Sequence, residues 1–191
     1  VTTLASRSAE DSYLPELWKN LGLILWKRPY GPFQDRYREA QNLFKNALAL
    51  ARKHKQRTMS VSLLIDLATL FDELAREDPL LRYQAIDYYS QIIELGGTHG
   101  KELDHHQLAL GNRGWARINL PPEDQPQGFR DAITDLEAAL KLCGDNPYLL
   151  RNRAHHYNHL GLAHMDMVPF ESGHLSKAID CFETSMELCQ Q

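Results

Sequence analysis

The chain is poor in the features that announce chemistry. It has only three cysteines in 191 residues, Cys143, Cys181 and Cys189, an odd count without paired spacing. Disulfide frameworks and Cys-based metal sites need such pairs, so neither is expected, and the usage suits a reducing, cytoplasmic setting. No apolar run approaches membrane-spanning length and no signal peptide is visible, so no membrane partner is expected. The glycine-bearing stretch Leu95-Gly96-Gly97-Thr98-His99-Gly100-Lys101 lacks the spacing and the following Ser/Thr of a phosphate-binding loop, and reads as a connector. No His-Glu-x-x-His occurs, and no Ser/His/Asp or Cys/His nucleophile set can be assembled. An enzyme is therefore not expected, nor a cofactor. The first residue is Val rather than Met, so the chain is expected to be a fragment of a larger protein.

Charge is modest overall, at −4, but uneven. Residues 1–57 hold eleven Lys/Arg against five Asp/Glu; residues 58–191 hold ten against twenty. The run Arg52-Lys53-His54-Lys55-Gln56-Arg57 concentrates the positive end. Cations favour the last turn of a helix, where the dipole is negative. A solvated helix end is thus expected rather than a nucleic-acid patch, and the acidic remainder argues against a nucleic-acid groove.

What the chain does have is a repeat. Gly22, Ala68, Gly114 and Gly161 recur at spacings of 46, 46 and 47 residues, and Ala40, Ala85, Ala132 and Ala178 trail them by 18, 17, 18 and 17. Interlocked ladders of small residues mark stacked helical hairpins, because small residues are needed where two helices approach closely. Around the first ladder, Trp18, Leu21 and Leu25 align with Leu64, Leu67 and Phe71, with Leu110, Arg113 and Arg117, and with Tyr157, Leu160 and His164. Around the second, Phe44, Ala47 and Leu50 align with Tyr89, Ile92 and Leu95, with Leu136, Ala139 and Leu142, and with Phe182, Ser185 and Leu188. Spacings of three and four define helical stripes. Cys143 and Cys189 share one repeat position and are expected to be small packing residues.

Prolines separate the helices: Pro29 and Pro32, Pro79, Pro121, Pro122 and Pro126, and Pro169. Asp78-Pro79 and Asn146-Pro147 look like caps, and Gly96-Gly97 and Gly144 like C-terminal stops. The reading is all-α: eight helices at about 14–28, 35–55, 58–76, 80–95, 103–119, 127–143, 147–166 and 174–190. They form four hairpins in one domain, residues 1–191, with repeats at about 14–57, 58–102, 103–146 and 147–191.

Trp18-x-x-Leu21-Gly22-x-x-Leu25 followed by Ala40-x-x-x-Phe44-x-x-Ala47 resembles the tetratricopeptide repeat (TPR), as do Tyr157-x-x-Leu160-Gly161 and Ala178-x-x-x-Phe182. The unit departs from the family in length, about 46 residues against 34. The resemblance implies a right-handed α-α superhelix whose first helices line a concave groove for a peptide or helix. Its groove positions correspond here to Asn20, Asp66, Asn112 and His159, to Leu23, Thr69, Trp115 and Leu162, to Lys19, Ile65, Gly111 and Asn158, and to Glu16, Ser62, Leu108 and His155. The expected partner-binding set is Lys19, Asn20, Asp66, Thr69, Asn112, Trp115, Asn158 and His159. Amides in such a ladder can pair with the backbone of an extended peptide; the alternative is that they simply face solvent. Chaperone-binding members hold a C-terminal carboxylate with Lys, Asn and Arg on three first helices. Only Lys19 fits that pattern, and Asp66 would repel a carboxylate, so that ligand is not expected.

His155 and His159, four apart on one helix face, are the metal candidates, for zinc or nickel, but no further ligand stands beside them. Trp18 occupies a hairpin-core position and is expected to be buried. Trp115 either anchors a partner in the groove or packs on a neighbouring helix. The last helix carries Ile179, Cys181, Phe182, Met186, Leu188 and Cys189, more apolar surface than its own partner helix can cover, and is expected to meet an adjoining domain or a second copy. Function is accordingly expected to be a non-catalytic protein-protein interaction scaffold. The alternatives are a sensor or regulatory region of a larger bacterial signalling, protease or ATPase protein, and a metal- or nucleic-acid-binding module.

Overall fold

The structure, a computed structural model, describes the backbone of residues 2–28, 30–97 and 100–191, and the side chains of 13–28, 30–32, 34–97 and 100–191. Pro29 and the Thr98-His99 part of the connector lie outside the described residues. Among these residues there are eight α-helices and no strand: α1 (Thr2–Lys27), α2 (Phe33–Lys53), α3 (Arg57–Leu74), α4 (Arg82–Leu95), α5 (Gly100–Ile118), α6 (Gln127–Cys143), α7 (Leu150–Met167) and α8 (His174–Cys189).

The boundaries follow local chemistry. Asp78 and Asn146 each accept the backbone N–H two residues on, at 3.1 Å and 3.0 Å, and open a 3-10 turn with Pro79 or Pro147 in first position. These turns run into α4 and α7, which therefore begin a few residues later than expected. Gly96 (φ 64°) and Gly144 (φ 52°) close α4 and α6 with a positive φ that disfavours any side chain. The largest departure is α1, which begins at Thr2 rather than near residue 14. Residues 2–13 lack an apolar period to mark a helix, yet include Ala, Arg and Glu, which favour one. Pro15 consequently lies inside α1, fully buried.

The chain divides into two compact units, residues 1–73 and 74–191, and the division separates α3 from α4. In the first unit α1 packs on α2. Gly22 makes this approach possible, since a Cβ there would lie 2.6 Å from the Phe44 ring. Phe44 is wholly buried, worth roughly 1.5–3 kcal/mol of transfer free energy. Trp26, rather than Trp18, is the buried indole: it meets Tyr37 and Phe44 edge-on and donates through Nε1 to Glu73 at 2.9 Å. The Tyr37 hydroxyl donates to the same Glu73 oxygen at 2.6 Å, fastening α1 and α2 to α3. Trp18 is half-buried and lines a cleft of about 280 Å³ with Asn46, Ala49, Leu50 and Lys53 of α2.

The second unit repeats the close approach. A Cβ on Gly114 would lie 2.8 Å from Leu136, and one on Gly161 would lie 2.7 Å from Phe182. The apolar core here gathers Ile118, Phe129, Ala132, Leu136, Leu160, Ala163, Met167 and Cys181 from α5 to α8. One part of the stripe is ionic. Arg113 and Arg117 stand where the other repeats carry apolar residues or a histidine. Arg113 forms a two-pronged pair with buried Asp135, at 2.6 Å and 2.8 Å, and Arg117 adds a bond at 2.6 Å. Asp135 aligns with Leu43, Tyr88 and Cys181 of the other units, so α5 and α6 carry an ionic triad where the other units carry apolar or aromatic residues.

Candidate functional site

The expected groove residues fall into one set in each unit. In the first, α1 and α3 contribute Lys19, Asn20, Asp66 and Thr69. The Lys19 ammonium donates to Ser62 at 2.5 Å and lies 3.6 Å from Asp66 Oδ2, which has no hydrogen bond of its own. Burial raises the Asp66 pKa above the ordinary carboxylate range, and the attraction of Lys19 and Lys27 opposes the rise. Thr69 turns back onto its own helix, donating to the Ile65 carbonyl at 2.9 Å. Asn20 remains exposed. This face is thus a row of paired polar groups beside one open amide. Next to it a cleft of about 590 Å³ is lined by Tyr13, Glu16, Arg57, Met59 and Ser62, among others.

In the second unit α5 carries Asn112 and Trp115, and α7 carries His155, Asn158 and His159. Trp115 stacks on His159, with ring centroids 4.6 Å apart and planes inclined by 24°. Trp115 thus packs on the neighbouring helix and stays partly exposed. Burial, with a smaller contribution from His155, lowers the His159 pKa to about 4, so the imidazole is neutral near pH 7 and stacks as an aromatic plate. Asn112 is half-buried, and Asn158 and His155 are exposed. His155 and Asn158 lead into a cleft of about 550 Å³ between α7 and α8, completed by Leu150, Arg151, Ser185 and Leu188. The His155 and His159 rings lie 6.4 Å apart. Among the described residues no group of three or more His, Cys, Asp or Glu is placed to hold a metal.

Other polar groups sit behind this face, and the small-residue ladders gave no sign of them. Gly111, aligned with groove positions, is buried against His156 of α7 instead. His156 Nε2 lies 2.7 Å from the Gln107 side-chain oxygen, which only accepts, so Nε2 carries the proton. The Cys143 thiol donates to the same oxygen at 3.3 Å, and burial pushes its pKa up to about 11. Cys189 at the equivalent position is exposed rather than packed, and all three cysteines are free. On the far end of α7, the Nδ1 atoms of His164 and His174 lie 2.8 Å apart. His174 contacts Glu171 at 3.4 Å, and Glu171 pairs with Arg130 of α6 at 2.8 Å. A signal for these contacts existed only as coincidence of polar residues at apolar positions: Gln107, His156 and His164 interrupt helical stripes.

No protein-family model, curated protein or solved structure matches this chain. No helix among the described residues is long and apolar enough to cross a membrane.

Proposed function

We propose that this chain is a non-catalytic, TPR-like helical-repeat scaffold, working in a reducing, cytoplasmic compartment, that binds an extended segment or helix of another protein. The observation that carries the reading is the α5–α7 face. There a partly exposed tryptophan is held flat on a neutral imidazole, and His155 and Asn158 on the same helix as that imidazole lead into a cleft between α7 and α8. A rigid aromatic offers contact area at low entropic cost, and amides read peptide backbone rather than sequence. Support for the solenoid comes from the close approach made three times, at Gly22–Phe44, Gly114–Leu136 and Gly161–Phe182, at matching repeat positions.

The test is selection of binders from a random peptide display library on the immobilised chain, followed by titration of a selected peptide. Replacing Trp115 and Asn112 together by Ala should weaken that peptide at least tenfold, about 1.4 kcal/mol, with helical circular dichroism retained. A peptide that binds the double variant as tightly as the wild type overturns the assignment.

A further inference from the structure

Two helices carry an exposed apolar face, the first in the chain and the last. On α1, Leu17, Leu21 and Ile24 are 59%, 46% and 66% exposed. On α8, Leu175, Ile179 and Met186 are 58%, 48% and 58% exposed. Each residue is three or four positions, or a whole turn more, from the next, so each set forms one stripe along its helix. Single exposed apolar residues are ordinary, but a contiguous stripe marks an interaction surface.

The repeat itself shows what each stripe fits. The α1 positions align with Leu63, Leu67 and Leu70 of α3, all wholly buried, and two of them with Leu160 and Ala163 of α7, which are buried in the second unit's core. Ile179 and Met186 of α8 align with Ile133 and Leu140 of α6, which pack against the cluster holding Leu160 and Ala163. The α8 stripe thus has the chemistry of the α6 side of the α6–α7 contact. The α1 stripe has the chemistry of the α7 side. Charge separates the two possible pairings. On α8, exposed Asp180, Glu183 and Glu187 outnumber Lys177, so two α8 helices brought together would oppose like charges, whereas α1 is balanced, with three Lys/Arg and three Asp/Glu over Thr2–Lys27.

We propose that the α8 face of one copy docks on the α1 face of a second copy, reproducing between chains the packing of α6 on α7. Such a contact is heterologous: it uses two different surfaces, leaves one of each free on the pair, and can therefore continue to further copies.

Sedimentation velocity of the 21.9 kDa chain from about 1 to 100 µM, the range that populates a micromolar association, gives the first reading. Mass should rise above the monomer with concentration; a monomer throughout overturns the proposal without recourse to any variant. Two surface variants then test the pairing: Leu17→Glu with Ile24→Glu on α1, and Ile179→Glu with Met186→Glu on α8. Each alone should be monomeric, because one half of the contact is gone. Mixed in equal amounts they should form a complex of twice the monomer mass and no larger, since only one intact α1–α8 pair is available. Self-association of the α1 variant alone, or failure of the mixture to pair, overturns the proposal.

Discussion

The imidazole of His156 fills the space over Gly111: a Cβ on that glycine would lie 2.0 Å from Cε1 and 2.4 Å from Nδ1. Neither partner can yield easily, since His156 is held through Nε2 by Gln107, which is itself wholly buried. Gly111→Ala should therefore cost about 1–3 kcal/mol, the usual penalty of overpacking. The same change in a His156→Ala background should cost much less, giving a coupling of about 0.5–3 kcal/mol in a double-mutant cycle. Urea denaturation measures both. Equal costs in the two backgrounds would show that His156 does not set the requirement for glycine.

Asp135 pairs with two guanidinium groups from a position 3% exposed. Asp135→Ala leaves Arg113 and Arg117 facing each other without their anion, and should destabilise the chain by about 3–5 kcal/mol. Replacing all three by leucine restores the apolar stripe of the other repeats. That triple variant should recover most of the loss, because a well-packed apolar contact often matches or exceeds a buried ion pair. Thermal denaturation decides; a triple variant no better than Asp135→Ala would mean that the triad is needed for packing that leucine cannot supply.

Stability should fall with acid well before the carboxylates titrate. His156, His159 and His164 are each lowered to about 4, first by burial, whereas an unfolded histidine titrates near 6.5. Between those values the unfolded chain binds more protons than the native one, so stability is present above pH 6.5 and is lost progressively as pH falls toward 4. Each histidine contributes a slope of at most about 1.4 kcal/mol per pH unit. Asp66 and Asp166, raised by burial, act in the opposite sense. Urea midpoints at pH 7.5, 6.0 and 4.5 should decline in that order, and a flat series between pH 6.5 and 4.5 would contradict the burial of these rings.

The parts of the fold that were legible in the sequence are those fixed by steric exclusion. Gly22, Gly114 and Gly161 are small because Phe44, Leu136 and Phe182 occupy the space a side chain would take, and that demand recurs with the repeat. Asp78, Asn146, Gly96 and Gly144 act through backbone chemistry within a few residues, so they too can be read locally. What periodicity could not show is which polar residues pair across helices. Arg113 and Arg117 look like breaks in a stripe until Asp135 is found on the next helix. Lys19, Asp66 and Ser62 read as three open groove groups until they are seen joined. Of the expected groove, Asn20 and Asn158 are exposed, Thr69 satisfies itself on its own helix, and Trp115 and His159 spend part of their surface on each other.

That last pair makes its own prediction. A neutral imidazole stacked on an indole leaves its emission largely intact, whereas a protonated imidazole in contact quenches it. Because burial holds His159 neutral down to about pH 4, the Trp115 component of fluorescence should stay constant from pH 8 to pH 5 and fall only near pH 4. The signal of Trp115→Phe, subtracted from that of the wild type, isolates this component from Trp18 and Trp26. His159→Gln should abolish the titration, while His155→Gln should leave it and move it upward, since the coulombic influence of His155 is one of the two causes that lower the His159 pKa. A midpoint near 6.5 in the wild type would mean that the ring is solvated, the stack open, and the rigid aromatic plate proposed for partner binding absent.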